Sequence, residues 1–383
     1  MRILIVAYGK YLESILKIIN IGSTELEICA VVTVPLSNTE RIIGQYGISA
    51  RSVHPYYELP ECINNLYYDF IFYAAEGKAE EIGKQLRELG AGKEQMVNLS
   101  LLVSDRLYNI SRLMQYYKTH VTDFSLLLTG SSYAHYSVNG KNMSLPLLDF
   151  SVDSQDIYYG YWLAERVLSQ PDAAFRAVLI NLSPWSFSYD LSLSTSENFL
   201  CLAYALLLGK SHHFPLSMDA MKLAFRKDFL QSAASVTFEG IDIFDLNGNK
   251  RRMSHEVGIA EFLNMRLRAE HWGHQRTYPA TQEENVELLV RYIRLCQSHG
   301  AVPVLFLAPV MEMYRRFYPK RSLDQFYTLL RSVIRRTGAS LLDYFWVDGF
   351  GFQECRDIDH LNEKGSSIFT PKLEGDVLKL LGD

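Results

Sequence analysis

The sequence predicts an α/β protein of two domains, each built on a mostly parallel sheet that helices cover. The chain has 383 residues, which is more than one typical domain needs. Hydrophobic residues make up 48% and charged residues 21%, enough apolar content for full cores. Short apolar runs alternate with segments of helical period, which is typical of parallel sheets with helical crossovers. We expect a first domain over residues 1–100, a helical connector over 101–123 and a larger domain over 124–383.

The first domain is predicted from a strand, a helix and a second strand at its start. Residues 2–8 form an apolar run that ends at Gly9. The helix that follows carries apolar residues at helical spacing, namely Leu12, Ile15, Leu16 and Ile19. Further strands are expected at 27–34, 68–75 and 95–99, with a helix at 80–89 that ends at Gly90.

This opening resembles the Rossmann-like nucleotide-binding domains of bacterial sugar-modifying enzymes. A dinucleotide loop needs several glycines so that its backbone can approach the pyrophosphate, but here the turn offers Gly9 alone. The second strand ends in Val34-Pro35, where an acid would hold the ribose. We therefore favour a structural or docking domain, and Gly9 remains the candidate contact if a nucleotide binds.

The second domain is predicted from four strands with helices between and after them. The strands are expected at 124–128, 177–182, 302–307 and 340–344, and helices at 284–298, 324–337 and 365–381, the last interrupted by Pro371. Parallel strands with helical crossovers imply a doubly wound sheet. The stretch 186–280 breaks the alternation and contains an apolar helix around 199–208. We interpret it as a helical insertion that covers the site.

Two motifs, far apart in the chain, carry the candidate chemistry. Gly130-Ser131-Ser132 follows an apolar strand, so Ser132 lies where ligands bind in a parallel sheet. Near the C-terminus, Asp357 and His360 form an Asp-x-x-His motif. A serine hydroxyl needs a base, and the base needs an orienting partner. We expect Ser132 as nucleophile, His360 as base and Asp357 as acid. Asp359 is the second choice for the acid, because its side chain would point away from His360 if the backbone is extended there. The structural alternative for Ser131 and Ser132 is that they only cap a helix.

Together the motifs resemble the SGNH (GDSL-like) hydrolase superfamily, whose first block is Gly-Asp-Ser and whose last is Asp-x-x-His. Gly-Ser-Ser with Asp-His-Leu-Asn-x-x-Gly is similar to the branch that contains D-alanyl transfer proteins of teichoic acid and alginate O-acetylation proteins. Over residues 124–375 the resemblance implies a flavodoxin-like (SGNH) sheet. It further implies a serine-dependent esterase or O-acyltransferase that acts on a carbohydrate or surface-polysaccharide precursor. The alternative is a catalytically weak or inactive SGNH-like binding or assembly protein in polysaccharide biosynthesis.

The resemblance also implies donors for an oxyanion, and here the sequence departs from the family. Besides Ser132 itself, we expect the backbone N–H of Ser154 in the second block and the hydroxyl of Ser183 in the third. Asn181 is expected to lie too early, inside the strand, and Pro184 has no N–H to offer. Loss of one such donor typically costs about 100- to 1000-fold in rate.

The composition limits the classes of binding partner and the cellular compartment that we expect. The net charge of -5 provides no broad basic field for nucleic acid. Five widely spaced cysteines indicate neither a disulfide framework nor a zinc knuckle. Two histidines three apart, His271 and His274, lack a third ligand, so we expect neither a metal nor a cofactor. With no membrane span or signal peptide predicted, we expect a cytoplasmic protein whose partners are an acyl ester or acyl-CoA, a carbohydrate and biosynthetic enzymes.

Overall fold

The computed structural model forms two compact units, each with its own five-stranded parallel sheet. It describes residues 1–7, 11–34, 38–75, 78–100, 109–194, 198–228, 230, 266–267, 269–270 and 278–383. The first unit comprises Met1–Ser111 and Leu191–Val236, and the second comprises Arg112–Asp190 and Thr237–Asp383. The α/β class predicted from the sequence is therefore confirmed.

The helices follow the alternation that the sequence pattern predicts. In chain order they are α1 (Tyr11–Ile18), α2 (Thr39–Gln45), α3 (Leu59–Asn65), α4 (Ala79–Glu88), α5 (Asn109–Thr119), α6 (Ser132–Ser137), α7 (Ile157–Leu168), α8 (Phe199–Leu208), α9 (Met218–Ala224), α10 (Gln282–Ser298), α11 (Glu312–Phe317), α12 (Lys320–Thr337) and α13 (Glu363–Leu381). No helix among the described residues is both long and apolar enough to cross a bilayer.

The sheet of the first unit has the strand order β3-β2-β1-β4-β5. Its strands are β1 (Arg2–Ala7), β2 (Glu27–Thr33), β3 (Val53–Pro55), β4 (Phe70–Ala74) and β5 (Met96–Asn98). This is the order of the first five strands in doubly wound dinucleotide-binding sheets. Residues 3–7 of β1 are fully buried, as expected for a central parallel strand that is covered on both faces.

Part of the predicted insertion at 186–280 belongs to the first unit. Leu191–Val236 joins it through a bridge between Ile19 and Phe225. The ring of Phe225 also stacks on Phe72 of β4, with 5.8 Å between ring centroids. Since α8 is apolar on every side, it requires burial around its whole circumference. Much of the remaining insertion, including residues 231–265, lies outside the described residues.

The sheet of the second unit has the order β10-β9-β8-β6-β7. Its strands are β6 (Leu126–Thr129), β7 (Leu147–Asp149), β8 (Ala177–Leu182), β9 (Val302–Leu307) and β10 (Ser340–Asp343). Renumbered within the unit, this is the order 2-1-3-4-5 of flavodoxin-like sheets. The winding direction changes at β6, between β7 and β8, and ligands bind at such a switch point beyond the carboxyl ends of the strands.

The last helix corrects a prediction. The sequence suggested that Pro371 interrupts it, but α13 runs without a break from Glu363 to Leu381. A proline inside a helix costs about 3 kcal/mol through a lost hydrogen bond and a steric clash. Phe369, Leu373 and Val377 are fully buried on the same helix, and their packing holds it together across the proline.

Candidate active site

Gly130 places the start of α6 close against strand β8. Its φ of 147° lies outside the range that other L-residues adopt readily. A Cβ atom on Gly130 would lie 2.4 Å from the Cβ of Asn181, a distance that no side chain tolerates. The chain can therefore turn directly from β6 into α6, with Ser131 at the N-cap and Ser132 as the first helical residue.

The loop after β7 holds this turn by both backbone groups of Gly130. The N–H of Gly130 donates to Gln155 Oε1 at 2.8 Å, and its carbonyl accepts from the N–H of Val152 at 3.0 Å. Gln155 is buried, and its Nε2 donates to the Phe150 carbonyl at 2.8 Å. No role for Gln155 is predicted from the sequence, because only the fold shows which N–H its side-chain oxygen accepts from.

The predicted nucleophile, base and acid form one continuous chain of hydrogen bonds. Ser132 Oγ lies 2.8 Å from His360 Nε2. On the other side of the ring, His360 Nδ1 lies 2.9 Å and 3.0 Å from the two carboxylate oxygens of Asp357. Because a carboxylate can only accept, the ring proton belongs on Nδ1, which leaves Nε2 free to accept from the serine hydroxyl. The arrangement can take a proton from Ser132.

The turn that contains Asp357 orients its carboxylate. The backbone N–H groups of Asp359 and His360 both donate to Asp357 Oδ1, at 3.2 Å and 2.9 Å. This is the local pattern by which aspartate stabilises turns. The Asp-x-x-His spacing thus fixes the acid, and the acid in turn fixes the imidazole.

The rest of the C-terminal motif anchors this turn to α13. Asn362 caps the helix by accepting from the N–H of Gly365 at 3.0 Å. Its amide donates to the carbonyls of Gln353 and Cys355, at 2.8 Å and 3.2 Å. Gly365 has no space for a side chain, since a Cβ would lie 2.1 Å from the Glu354 carbonyl oxygen. Asn362 and Gly365 are therefore required for the geometry that presents His360.

The two neighbouring serines occupy different environments. Ser131 is 4% exposed, and its hydroxyl has no hydrogen-bond partner among the described residues. It makes no side-chain cap to α6 either, so the capping alternative finds no support at this residue. Ser132 is partly exposed and bonded to His360. Only Ser132 combines a base with access to a substrate.

Contrary to the expectation from the sequence, the side chain of Asp359 points toward His360. Its Oδ1 lies 3.4 Å from His360 Nδ1, and its Oδ2 accepts from the Tyr133 hydroxyl at 2.9 Å. The expectation assumed an extended backbone, whereas the segment forms a turn that directs both aspartates to the same ring nitrogen. Two carboxylates therefore approach His360.

Aromatic rings and one cation complete the surroundings of the imidazole. The ring centroids of Tyr133 and Tyr136 lie 5.2 Å and 5.1 Å from that of His360. The guanidinium of Arg356 lies 4.3 Å from the centroid of Tyr136, and its Nε is 3.8 Å from Asp357 Oδ2. Burial, together with the negative charge of Asp359, raises the pKa of Tyr133 well above its ordinary value. Tyr133 therefore stays a neutral hydrogen-bond donor.

The expected oxyanion donors are placed unequally. Ser154 has a φ of 61°, which glycine adopts readily and other residues rarely do. It lies between Val152 and Gln155, the two residues that clamp Gly130, and it is partly exposed. Strained backbone of this kind clusters at functional sites.

Ser183 and Asn181 are less accessible. The N–H of Ser183 donates to Ser186 Oγ at 2.8 Å, and the Ser183 hydroxyl is buried with no partner among the described residues. Asn181 lies inside β8, as expected, and its Nδ2 is 3.4 Å from the carbonyl oxygens of Leu182 and Phe306. Within this conformation neither side chain offers a donor at the surface.

One of the groups of described residues that could hold a metal coincides with the hydrogen-bonded chain. Asp357, Asp359 and His360 each offer a ligand atom, and these atoms lie within 4.8 Å of one another. A cation there would compete with the proton on Nδ1 that joins His360 to the aspartates. The other predicted candidates, Gly9 for a nucleotide and His271 with His274 for a metal, lie outside the described residues.

Comparison with known proteins does not add to this picture. No protein-family model matches the chain, and no curated protein matches it. The site must therefore be interpreted from its own geometry.

Proposed function

We propose that this protein is a serine-dependent esterase or O-acyltransferase of the SGNH (GDSL-like) type. The observation that carries the proposal is the chain of hydrogen bonds from Ser132 through His360 to Asp357. The strand order of the second unit supports it, because Ser132 follows the strand at which the winding changes direction.

The reaction follows from the atoms at the site. As Ser132 Oγ attacks the ester carbonyl, its proton passes to His360 Nε2, and Asp357 stabilises the imidazolium that forms. The carbonyl oxygen becomes an oxyanion, for which we propose the N–H of Ser154 as a donor, because Ser154 is partly exposed and lies in the loop that clamps Gly130. Collapse of the tetrahedral intermediate breaks the bond to the leaving alcohol or thiol, which takes the proton from Nε2. The acyl group is then bound to Ser132 as an ester.

The second half of the reaction transfers the acyl group to an acceptor. Water or a sugar hydroxyl gives its proton to His360 Nε2 and attacks the acyl-enzyme; the ester bond to Ser132 then breaks as its Oγ takes that proton from Nε2, which restores the serine hydroxyl. The resemblance to polymer-modifying proteins supports a carbohydrate acceptor, such as a precursor of a surface polysaccharide. In the cytoplasm, the setting we propose, an acyl-CoA would be a suitable donor and a nucleotide-linked sugar a suitable acceptor.

A second candidate is a binding or assembly protein on the same scaffold. The observation that favours it is the burial of the Ser183 hydroxyl together with the inward direction of the Asn181 amide. An enzyme without these donors would be slow, by about 100- to 1000-fold for each one lost.

A fluorophosphonate probe separates the two candidates, since it reacts covalently with an activated serine. We expect labelling of the parent protein and loss of labelling in Ser132→Ala. The matched control is Ser131→Ala, which removes the neighbouring hydroxyl that has no base. Hydrolysis of short acyl esters should follow the same pattern. If the parent protein neither reacts with the probe nor cleaves these esters, the assembly role replaces the enzyme.

A further inference from the structure

A second hydrogen-bonded connection joins the nucleophile's helix to the base. Tyr133 directly follows Ser132 in α6, and Asp359 directly precedes His360. The Tyr133 hydroxyl donates to Asp359 Oδ2 at 2.9 Å, so the neighbours of the two reacting residues are bonded to each other. This connection runs parallel to the bond between Ser132 and His360.

The carboxylate in this connection is deeply buried. Asp359 is 1% exposed, while the side chain of Asp357 keeps 14% of its surface. A buried carboxylate is costly unless specific groups compensate its charge. Tyr133 supplies a hydrogen bond, and the Nδ1 side of His360, 3.4 Å away, supplies the group that becomes positive during the reaction.

The charges around His360 come from several elements. The turn contributes Asp357, Asp359 and Arg356, and α6 contributes the neutral phenols of Tyr133 and Tyr136. Tyr314 and Tyr318, which follow β9, interact electrostatically with Tyr133, and Tyr318 also interacts with Asp359. Both are buried phenols. Asp359 is therefore the one carboxylate in the described surroundings of His360 that is held wholly inside the protein.

We propose that Tyr133 and Asp359 are positioning residues: they align Ser132 with His360, and Asp359 provides a second negative charge beside the imidazolium. This proposal rests on the proposed function for its role in a reaction. The charge effect on the imidazole, however, is measurable without any activity.

Three variants separate the charge from the hydrogen bond. Asp359→Asn keeps the shape and removes the charge, so the imidazolium loses stabilisation, and the titration midpoint of His360 should fall by about one pH unit or more. Tyr133→Phe keeps the charge and removes one hydrogen bond. We expect its kcat to fall by roughly tenfold with an unchanged KM and midpoint, because one hydrogen bond is worth about 1 kcal/mol or slightly more. Tyr327→Phe is the control, since the Tyr327 hydroxyl donates to Asp343 Oδ2 at 2.8 Å, a tyrosine–aspartate bond of the same kind between α12 and β10.

The measurement is an NMR titration of the full-length protein with labelled histidine, in which the His360 signal is identified by its loss in His360→Gln. Near-unchanged spectra for the other histidines show that each variant is folded. The acid limb of kcat/KM against pH should shift with the midpoint in Asp359→Asn and stay in place in Tyr327→Phe.

The outcomes distinguish this inference from the proposed function. An unchanged His360 midpoint in Asp359→Asn overturns the charge effect even if the protein is an active esterase. An unchanged kcat in Tyr133→Phe overturns the positioning role. If instead the parent protein fails to react with the fluorophosphonate while the midpoint falls as expected, the proposed function fails and the electrostatic coupling stands.

Discussion

At the scale of single residues, Gly130 is the residue whose replacement should disturb the site most. Gly130→Ala adds a methyl group in contact with Asn181, at a φ that alanine disfavours. We expect a loss of about 3 kcal/mol or more in the free energy of unfolding, from overpacking together with backbone strain. The matched control is Gly338→Ala, where φ is 69° but a Cβ meets nothing within 4 Å.

Urea denaturation of the two variants measures this difference. Gly338→Ala should lose only about 1 kcal/mol, the strain alone. Equal losses in the two variants would show that the close approach of β6 and β8 at Gly130 does not constrain the turn.

Asp357 offers a second prediction at this scale, on activity. In Asp357→Asn the Oδ1 atom can still accept from the N–H groups of Asp359 and His360, so the turn should persist. The amide would favour the other tautomer of His360, with its proton directed at Ser132, and kcat should fall by roughly 10⁴-fold. Steady-state hydrolysis of an acyl ester measures the effect, with thermal unfolding as the check on folding. Loss of less than about tenfold would transfer the orienting role to Asp359.

The sequence predicts some of the site's residues and not others, for a physical reason. Ser132, Asp357 and His360 were predicted because each lies in a short motif whose spacing reflects local geometry. Gln155 and Tyr133 gave no such signal. Their hydrogen bonds join residues 25 and 226 positions apart in the chain, and only the folded sheet brings those together.

At the scale of elements, burial and length decide which strands the sequence predicts. The four predicted strands of the second unit agree with β6, β8, β9 and β10 to within two residues. Two three-residue strands, β3 and β7, were not predicted, whereas the equally short β5 lies within the predicted strand 95–99; a segment of this length shows too little of a period to decide. Pairing with a neighbouring strand, and not their own composition, makes them strands.

Helix α13 is fixed to the segment before β7 by one buried side chain. Glu374 Oε1 accepts from the N–H and the hydroxyl of Ser144, at 2.7 Å and 2.9 Å, and from the N–H of Leu145 at 2.8 Å. Glu374→Gln replaces a charged acceptor by a neutral one, and we expect a loss of about 2 kcal/mol in unfolding free energy. Glu363→Gln, on the exposed first turn of the same helix, is the control and should cost less than about 1 kcal/mol.

Chemical denaturation followed by circular dichroism tests this pair of variants. If both glutamines cost the same, the three hydrogen bonds of Glu374 add nothing beyond the general effect of removing a negative charge from α13.

At the scale of the whole molecule, both units have the same kind of architecture, a five-stranded parallel sheet with helical crossovers. A parallel sheet must be covered on both faces, so its strands become continuous apolar runs and its crossovers become helices. The sequence shows this alternation twice, and that is why the class of fold could be predicted. The sequence does not predict that Leu191–Val236 joins the first unit, because an all-apolar helix such as α8 requires burial without specifying its neighbours.

The cysteines provide a test of both units at once. All five are free thiols, and four are buried, with Cys29 partly so. Burial raises the pKa of the Cys296 thiol to about 12 and shifts those of Cys29, Cys62 and Cys355 upward. A raised pKa lowers the fraction of reactive thiolate at pH 8, so the native protein should react slowly with iodoacetamide, and five thiols should react after unfolding.

Alkylation along a denaturant series, followed by peptide mass spectrometry, assigns each thiol to an opening event. Cys29, Cys62 and Cys201 lie in the first unit, and Cys296 and Cys355 in the second. Because each unit has its own core, thiols of one unit should become reactive at the same denaturant concentration. Raising the pH from 8 to 9 should accelerate the native reaction, because the thiolate fraction of a thiol whose pKa lies above both values rises with pH. Rapid alkylation of Cys355 in the native protein would contradict the buried position of the bridge between Cys355 and Leu361, which lies beside His360. If thiols of the same unit became reactive at different denaturant concentrations, that unit would not have a single core.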